Sequence, residues 1–331
     1  MTKSSDLPEE LQRLAVKIKT LIQRNLNPEG APEPLYEASR HLTSVGGKML
    51  RPYLAVKTCE AVGGREEDVM PAAAALELLH TFTLIHDDII DNDQTRRGVP
   101  TVHSRWGIPV AILAGDLLFA NVYRTVLEGS LPPERAIRVL SIITEATVKL
   151  CEGQVLDMTF PNLQEVGEKD YLKMVGWKTS CLFKAAAEVG GIAGGGTEKQ
   201  ISALGSFAEF AGIGFQIVDD ILGLTADKTK LGKPVGSDIR EGKKTLPIIH
   251  ALNNASQSQK AVIHRAMGGN ANQKEILAAK DLIVSLGSIE YTKRKAQRYV
   301  EDAKRRLDVL PESPAKDSII ELCNLLVLRE F

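Results

Sequence analysis

The sequence of 331 residues predicts an all-α protein, a single-domain bundle of roughly ten to thirteen helices. Two observations carry that expectation. Runs of alternating β-branched residues joined by two-residue turns are nearly absent. Long stretches instead repeat apolar residues at helical spacing, with Ala72, Ala75, Leu76 and Leu79 forming one stripe. Ile201, Leu204, Phe207, Ala208, Ala211 and Phe215 form another. Glycine and proline clusters separate the stripes at residues 27–30, 129–133, 190–196, 232–242, 268–269 and 311–314. No fixed-period repeat argues for a solenoid. Length alone would allow two domains, but no stretch is long and polar enough to be a linker, so residues 1–331 read as one domain.

Composition narrows the classes. Lys and Arg number 41 against 42 Asp and Glu, for a net charge of −1, and 44% of residues are hydrophobic. There is ample apolar material to bury and little net charge to repel it, which excludes a disordered chain. A chain that is not basic overall is a poor nucleic-acid binder, and 5% aromatic content leaves little for a stacking platform. Cys59, Cys151, Cys181 and Cys323 form no CxxC pair, so they read as small hydrophobes in a reducing cytosol. Residues 1–12 are polar with no apolar signal core, and no unbroken run of about 18 apolar residues occurs. The expectation is a cytoplasmic protein with no membrane span and no nucleic-acid partner.

Three stretches carry the chemistry. Gly46-Gly47-Lys48-Met-Leu-Arg51-Pro52 is a glycine-flanked cationic pair suited to an anion, though such a segment also serves as a plain turn between helices. His80-Thr-Phe-Thr-Leu-Ile-His-Asp87-Asp88-Ile-Ile-Asp91 follows, and then Arg96-Arg97-Gly98. Asp87 and Asp91 are four apart and share a helix face. Like charges there destabilise a bare helix, and Mg²⁺, bound through one or two carboxylates plus substrate phosphates, would compensate. Two arginines close behind suit phosphate oxygens. The bland reading of this stretch is a solvated acidic helix end with a basic turn.

The third stretch, Gln216-Ile-Val-Asp219-Asp220-Ile-Leu-Gly223, again places carboxylates at a helix C-terminus, against the dipole. Cations shared by the two acidic pairs would explain both. The glycines and lysines of residues 228–245, including Lys233, Lys243 and Lys244, could cradle a phosphate.

Taken together, GGKxxRP, DDxxD followed by RRG, and FQxxDD resemble the trans-prenyltransferases, the isoprenyl diphosphate synthase family, from about Gly46 to Lys244. The resemblance implies helices around a central cavity and a homodimer. It implies Asp87, Asp91, Asp219 and Asp157 as carboxylates for three Mg²⁺ ions per site. Arg96, Lys178 and Lys233 would hold an allylic diphosphate, and Lys48, Arg51, His80 and Arg97 would hold isopentenyl diphosphate. Lys178, Thr179 and Gln216 would lie beside the developing carbocation. Gly223 departs from the third Asp that the second motif often carries.

Product length depends on the residues before the first motif. Thr83 shares a face with His80 and Asp87 and is small where farnesyl-forming relatives place an aromatic ring. Phe82, with no insertion in DDxxD, resembles the archaeal type of geranylgeranyl diphosphate synthase, whereas geometry alone does not aim it beneath the diphosphate. The expected product is C20 with some C15, the alternatives being a farnesyl or longer-chain synthase. A terpene cyclase would have no use for GGKxxRP, and a His86-Asp87 phosphohydrolase would leave RRG and FQxxDD unexplained. A regulatory subunit of a heteromeric prenyltransferase would usually have lost part of this set.

Overall fold

A computed structural model describes residues 6–225, 236–267 and 269–327. Its helices are α1 (Asp6–Asn25), α2 (Glu33–Val45), α3 (Leu50–Ala61), α4 (Glu66–Ile90), α5 (Val102–Trp106) and α6 (Ile108–Leu127). They continue with α7 (Pro133–Thr159), α8 (Glu168–Val175), α9 (Cys181–Ala193), α10 (Glu198–Thr225), α11 (Ser237–Arg240) and α12 (Leu246–Asn254). The last four are α13 (Gln257–Ala266), α14 (Gln273–Ser285), α15 (Ser288–Arg306) and α16 (Pro314–Val327). The fold is all-α as expected. Short pieces such as α5 and α11 raise the number of helices above ten to thirteen. Among the described residues the only β-structure is a hairpin of two-residue strands, β1 (Thr95–Arg96) and β2 (Val99–Pro100).

The chain folds as two compact units, each assembled from separate stretches of sequence. The first comprises residues 1–145, 185–205 and 308–322. Its centre is α4, whose first turn carries Glu66, Glu67 and Asp68, the favourable sign for a helix N-terminus. The Asp68 carboxylate also accepts from the Arg65 backbone N–H at 3.2 Å. Ala72, Ala73, Ala74 and Ala75 are fully buried, which lets α3 and α6 pack closely against α4. Leu76, Leu78, Leu79, Ile85 and Leu118 complete this core, each such side chain contributing roughly 1.5–3 kcal/mol.

Residues 190–196, expected as a turn, divide in two. The helix α9 runs through Gly190 and Gly191 to Ala193 and turns only afterwards. A Cβ on Gly190 would lie 2.0 Å from Thr58 Oγ1 and 2.1 Å from the Ala55 carbonyl oxygen. Gly190 therefore allows α9 to meet α3 backbone to backbone instead of breaking a helix.

The second unit comprises residues 146–184, 206–307 and 323–331. Its core is aliphatic: Ile221, Leu224, Ile239, Ile248, Ile263, Ile276 and Ile283 pack into one cluster. A π-helical turn, Gly176–Ser180, joins α8 to α9. Such wide turns arise often at functional sites.

Three helices, Glu66–Ile90, Ile108–Leu127 and Glu198–Thr225, are long and apolar enough to cross a membrane by length and composition. An unbroken run of apolar residues is too strict a criterion to find them, because their windows include isolated polar positions. Packing accounts for much of their apolarity, with 67%, 44% and 61% of those windows buried inside the protein.

Candidate active site

In the first unit the two glycines of GGKxxRP are explained by what covers them. Gly46 has φ +82, a conformation that favours glycine, and a Cβ there would lie 2.5 Å from Lys19 Nζ. A Cβ on Gly47 would lie 2.7 Å from Arg97 Nη2. Arg97 also donates from Nη1 to the Gly46 carbonyl oxygen. Lys48 is exposed on the turn that follows, and Arg51 lies in the first turn of α3.

Met49 (φ 52) and Arg97 (φ 53) are two of three non-glycine residues with positive φ among the described residues. Arg97 and Gly98 (φ 79) are the central pair of the hairpin between β1 and β2, a turn that needs positive φ at both positions. An arginine held there is backbone strain at a residue singled out by chemistry.

The end of α4 separates the carboxylates of the first motif. Asp88 is buried and forms an ion pair with Arg96, which also reaches Asp93 at 3.7 Å. Burial raises the Asp88 carboxyl while Arg96 pulls it back down. Asp88 Oδ2 is buried with no hydrogen-bond partner among the described residues. Asp87 is half-buried and Asp91, the C-cap, is exposed. On the same helix, burial and then the charges of Arg51, Arg97 and Arg96 hold His80 well below its ordinary range, so it is neutral. Three residues earlier, Glu77 is buried in the field of Arg51, Arg97 and Lys19.

Phe82 packs edge to face on His86, with ring centroids 4.7 Å apart, and against Phe119 of α6 at 5.2 Å. Phe119 in turn meets Tyr123 at 5.3 Å, extending the aromatic row along α6. Thr83 is buried, and its hydroxyl donates to the His80 carbonyl oxygen at 2.8 Å. The ring of His86 stands over Gly115, where a Cβ would come within 2.2 Å of Nε2. That confinement counts against a metal-ligating His86 and the phosphohydrolase reading.

In the second unit the expected residues converge on one cavity of about 310 Å³, lined by Asp157, Lys178, Thr179, Gln216, Asp219 and Asp220 among others. Lys178 and Thr179 lie in the π-helical turn. Gly153 of α7 presses on that turn so closely that a Cβ would lie 2.3 Å from the Lys178 backbone nitrogen. On another side, a Cβ on Gly212 would lie 2.7 Å from Ser180 Oγ.

A relay of hydrogen bonds orders the cavity wall. Thr179 Oγ1 donates to Gln216 Oε1 at 2.9 Å, Gln216 Nε2 donates to Asp220 Oδ1 at 2.9 Å, and Tyr171 donates its hydroxyl to Asp220 Oδ2 at 2.6 Å. Burial drives the Asp220 carboxyl up to about 7 against the pull of those hydrogen bonds. Asp157, expected on the metal side, is ion-paired with Lys178. Asp219 is half-buried at the cavity. Lys233 lies outside the described residues.

The gap at Gly223 is filled from elsewhere in the chain: a Cβ there would lie 2.4 Å from Asp238 Oδ2. Sequence reading missed Glu77, Lys19 and Tyr171, and gave Asp238 no role within the stretch 228–245. Glu77 had a visible signal, a lone charge inside the apolar run 71–79, whereas Lys19 and Tyr171 belong to no motif.

Asp87 and Asp91 in the first unit, and Asp157 and Asp219 in the second, each offer carboxylate oxygens of the kind a hard dication takes. Among the described residues no group of three or more metal-ligating side chains is preassembled. Mg²⁺ takes one or two such carboxylates and completes its shell with water and substrate phosphates.

The model of the polyprenyl synthetase family matches residues 32–283, a segment drawn from both units. The chain belongs to the polyprenyl synthetase family. It is therefore one of the trans-prenyltransferases. It is 40% identical over 326 residues to the geranylgeranyl diphosphate synthase of Methanosarcina mazei, covering 98% of each chain. It is 41% identical over 302 residues to the geranylfarnesyl diphosphate synthase of Aeropyrum pernix, covering 89% of this chain and 93% of that one. Among solved structures, the geranylgeranyl pyrophosphate synthetase of Pyrococcus horikoshii superposes with a TM-score of 0.93 at 42% identity, covering 99% of this chain and 100% of that one.

Proposed function

We propose that the protein condenses isopentenyl diphosphate with allylic prenyl diphosphates head to tail, giving mainly geranylgeranyl diphosphate. The observation that carries this reading is the cavity of the second unit. There a lysine, a threonine and a glutamine gather in one ordered wall beside Asp219, with no paired nucleophile and base among the described residues.

The reaction needs none. The allylic C–O bond breaks and its electron pair leaves with the diphosphate. The double bond of isopentenyl diphosphate then attacks the allylic cation, and a proton lost from the new cation passes to the released diphosphate. Lys178 and Lys233 are assigned to the allylic diphosphate, where positive charge stabilises the leaving group most as it departs. Thr179 and Gln216, their hydroxyl and amide locked through Asp220 and Tyr171, present fixed dipoles to the cation and cost no reorganisation during the reaction.

Asp87 and Asp91 in the first unit, and Asp219 with Asp157 in the second, are assigned to Mg²⁺. When bound, the metal neutralises diphosphate charge and favours its departure. Lys48, Arg51, His80 and Arg97 are assigned to isopentenyl diphosphate, with Arg96 on the allylic side. Its ion pair with Asp88 would hold that guanidinium in place.

Relatives of near-equal identity carry names that differ by one C5 unit in product, so product length rests on side chains and not on overall similarity. The aromatic row of Phe82 and Phe119 supports a floor at C20. Incubation of the purified chain with labelled isopentenyl diphosphate and each allylic primer, with chromatography of the dephosphorylated products, should show mainly C20. Phe82→Ser should shift the product to C25 or longer, and an unchanged C20 profile would remove Phe82 as the floor. Activity of the chain alone excludes the regulatory-subunit alternative.

A homodimer is part of the same reading. Exposed Ile108, Ile112, Leu113 and Leu127 on α6 and Ile137 on α7 are the apolar surface it would cover, and light scattering should return twice the chain mass.

A further inference from the structure

Resting on the assignment of Lys48, Arg51, His80 and Arg97 to isopentenyl diphosphate, we propose that Lys19 of α1 is a further binding residue for that diphosphate. Lys19 belongs to no motif and lies outside the segment that the family model matches. Its ammonium nonetheless ends on the first glycine of GGKxxRP, against the Gly46 Cα, while the Arg97 guanidinium holds the carbonyl of the same residue. Two cations thus converge on one dipeptide from separate parts of the first unit.

Among the described residues no carboxylate lies within ion-pair distance of either. Like charges gathered without matched acids are costly in the folded protein, and they are what a polyanion site requires. The acid in their field is Glu77, which is buried and contributes at longer range. Donor chemistry agrees. An ammonium carries three N–H donors, and Lys19 spends one on the Ser44 carbonyl oxygen at 3.2 Å. The remaining two are available to phosphate oxygens. Gly46 lacks a Cβ for two reasons at once, its positive φ and the presence of this ammonium.

The competing role is structural: a lysine of α1 that satisfies one carbonyl at the end of α2. Lys19→Gln separates the two, because an amide can still donate to Ser44 but carries no charge. The measurement is steady-state kinetics with isopentenyl diphosphate varied at saturating allylic primer, and the reverse, together with a melting curve. The expected result is a rise of about tenfold in KM for isopentenyl diphosphate, the size of one lost charge-assisted hydrogen bond. The allylic KM should be unmoved, kcat should change far less, and Lys19→Arg should recover most of the loss.

An unchanged KM for isopentenyl diphosphate, or an equal rise in both KM values, would overturn the proposal. Arg97→Gln distinguishes the two levels of failure. If it raises KM for isopentenyl diphosphate and Lys19→Gln does not, Lys19 alone is wrong. If neither does, the assignment of the whole subsite is wrong.

Discussion

Asp87-Asp88 and Asp219-Asp220 are the same dipeptide near the end of a long helix, and in both the second carboxylate is buried while the first stays half-exposed. Their surroundings treat the buried member differently. Asp88 is held by a cation, Arg96, and keeps one oxygen without a hydrogen bond among the described residues. Asp220 is held by two neutral donors that occupy both its oxygens, and its carboxyl is pushed up to about 7. The first pair thus stores charge, and the second stores orientation. In each, the first Asp stays accessible and the second is built into the support.

The sharpest break of that comparison is to remove the accessible members. Asp87→Ala and Asp219→Ala should each lower turnover about a hundred- to thousandfold, since under the proposed assignment each removes charge that acts on the departing diphosphate. Near wild-type turnover in either would defeat its metal assignment. Gly153→Ala should come next. Its Cβ would strike the backbone of the π-helical turn at Lys178, so the turn must shift, and misplacement of that order costs up to about a hundredfold in rate. The melting point should fall modestly. A variant with normal kcat would show that the turn tolerates displacement, and that orientation matters less in the second unit than its hydrogen bonds suggest.

The buried members can be compared directly by neutral isosteres. Asp220→Asn keeps an oxygen to accept from Tyr171, a Gln216 amide turned over can accept from the new NH2, and a carboxyl near 7 is already partly protonated at neutral pH, so its stability should change little. Asp88→Asn removes the nearer counter-charge from Arg96, which is only 25% exposed and keeps Asp93 at 3.7 Å. A partly screened pair of this kind should cost roughly 1–2 kcal/mol, a drop of a few degrees. Equal melting points for the two variants would erase the distinction between stored charge and stored orientation.

Sequence legibility divides along the same lines. The helices were readable because burial imposes a 3.6-residue period on the apolar positions, as at Ala72, Ala75, Leu76 and Leu79. Motif residues were readable because the chemistry fixes their spacing. Glycine was ambiguous: a cluster such as 190–196 signals either a turn or a close helix crossing, and only the neighbour at Thr58 decides. Supporting residues were the least legible. Tyr171 reaches Asp220 from 49 positions away and Lys19 reaches Gly46 from 27, separations at which no local period or spacing rule operates.

Glu77 offers the finest test, because it asks whether the cationic region of the first unit neutralises its own buried acid as it does Asp88. Burial raises the Glu77 carboxyl from 4.5 to about 7, although Arg51, Arg97 and Lys19 pull it down. A carboxyl whose folded value lies above its unfolded one binds its proton more tightly in the folded state. Its contribution to stability is complete below about pH 4.5 and is lost as pH rises through 7. Glutamine at this position has no such dependence. The melting temperature of Glu77→Gln relative to the native protein should therefore climb by a few degrees between pH 5 and pH 8. A constant difference would mean that Glu77 stays ionised throughout, compensated by its cations, and the first unit would then hold two charge-paired carboxylates on α4 where the second holds a carboxyl kept near neutrality by burial.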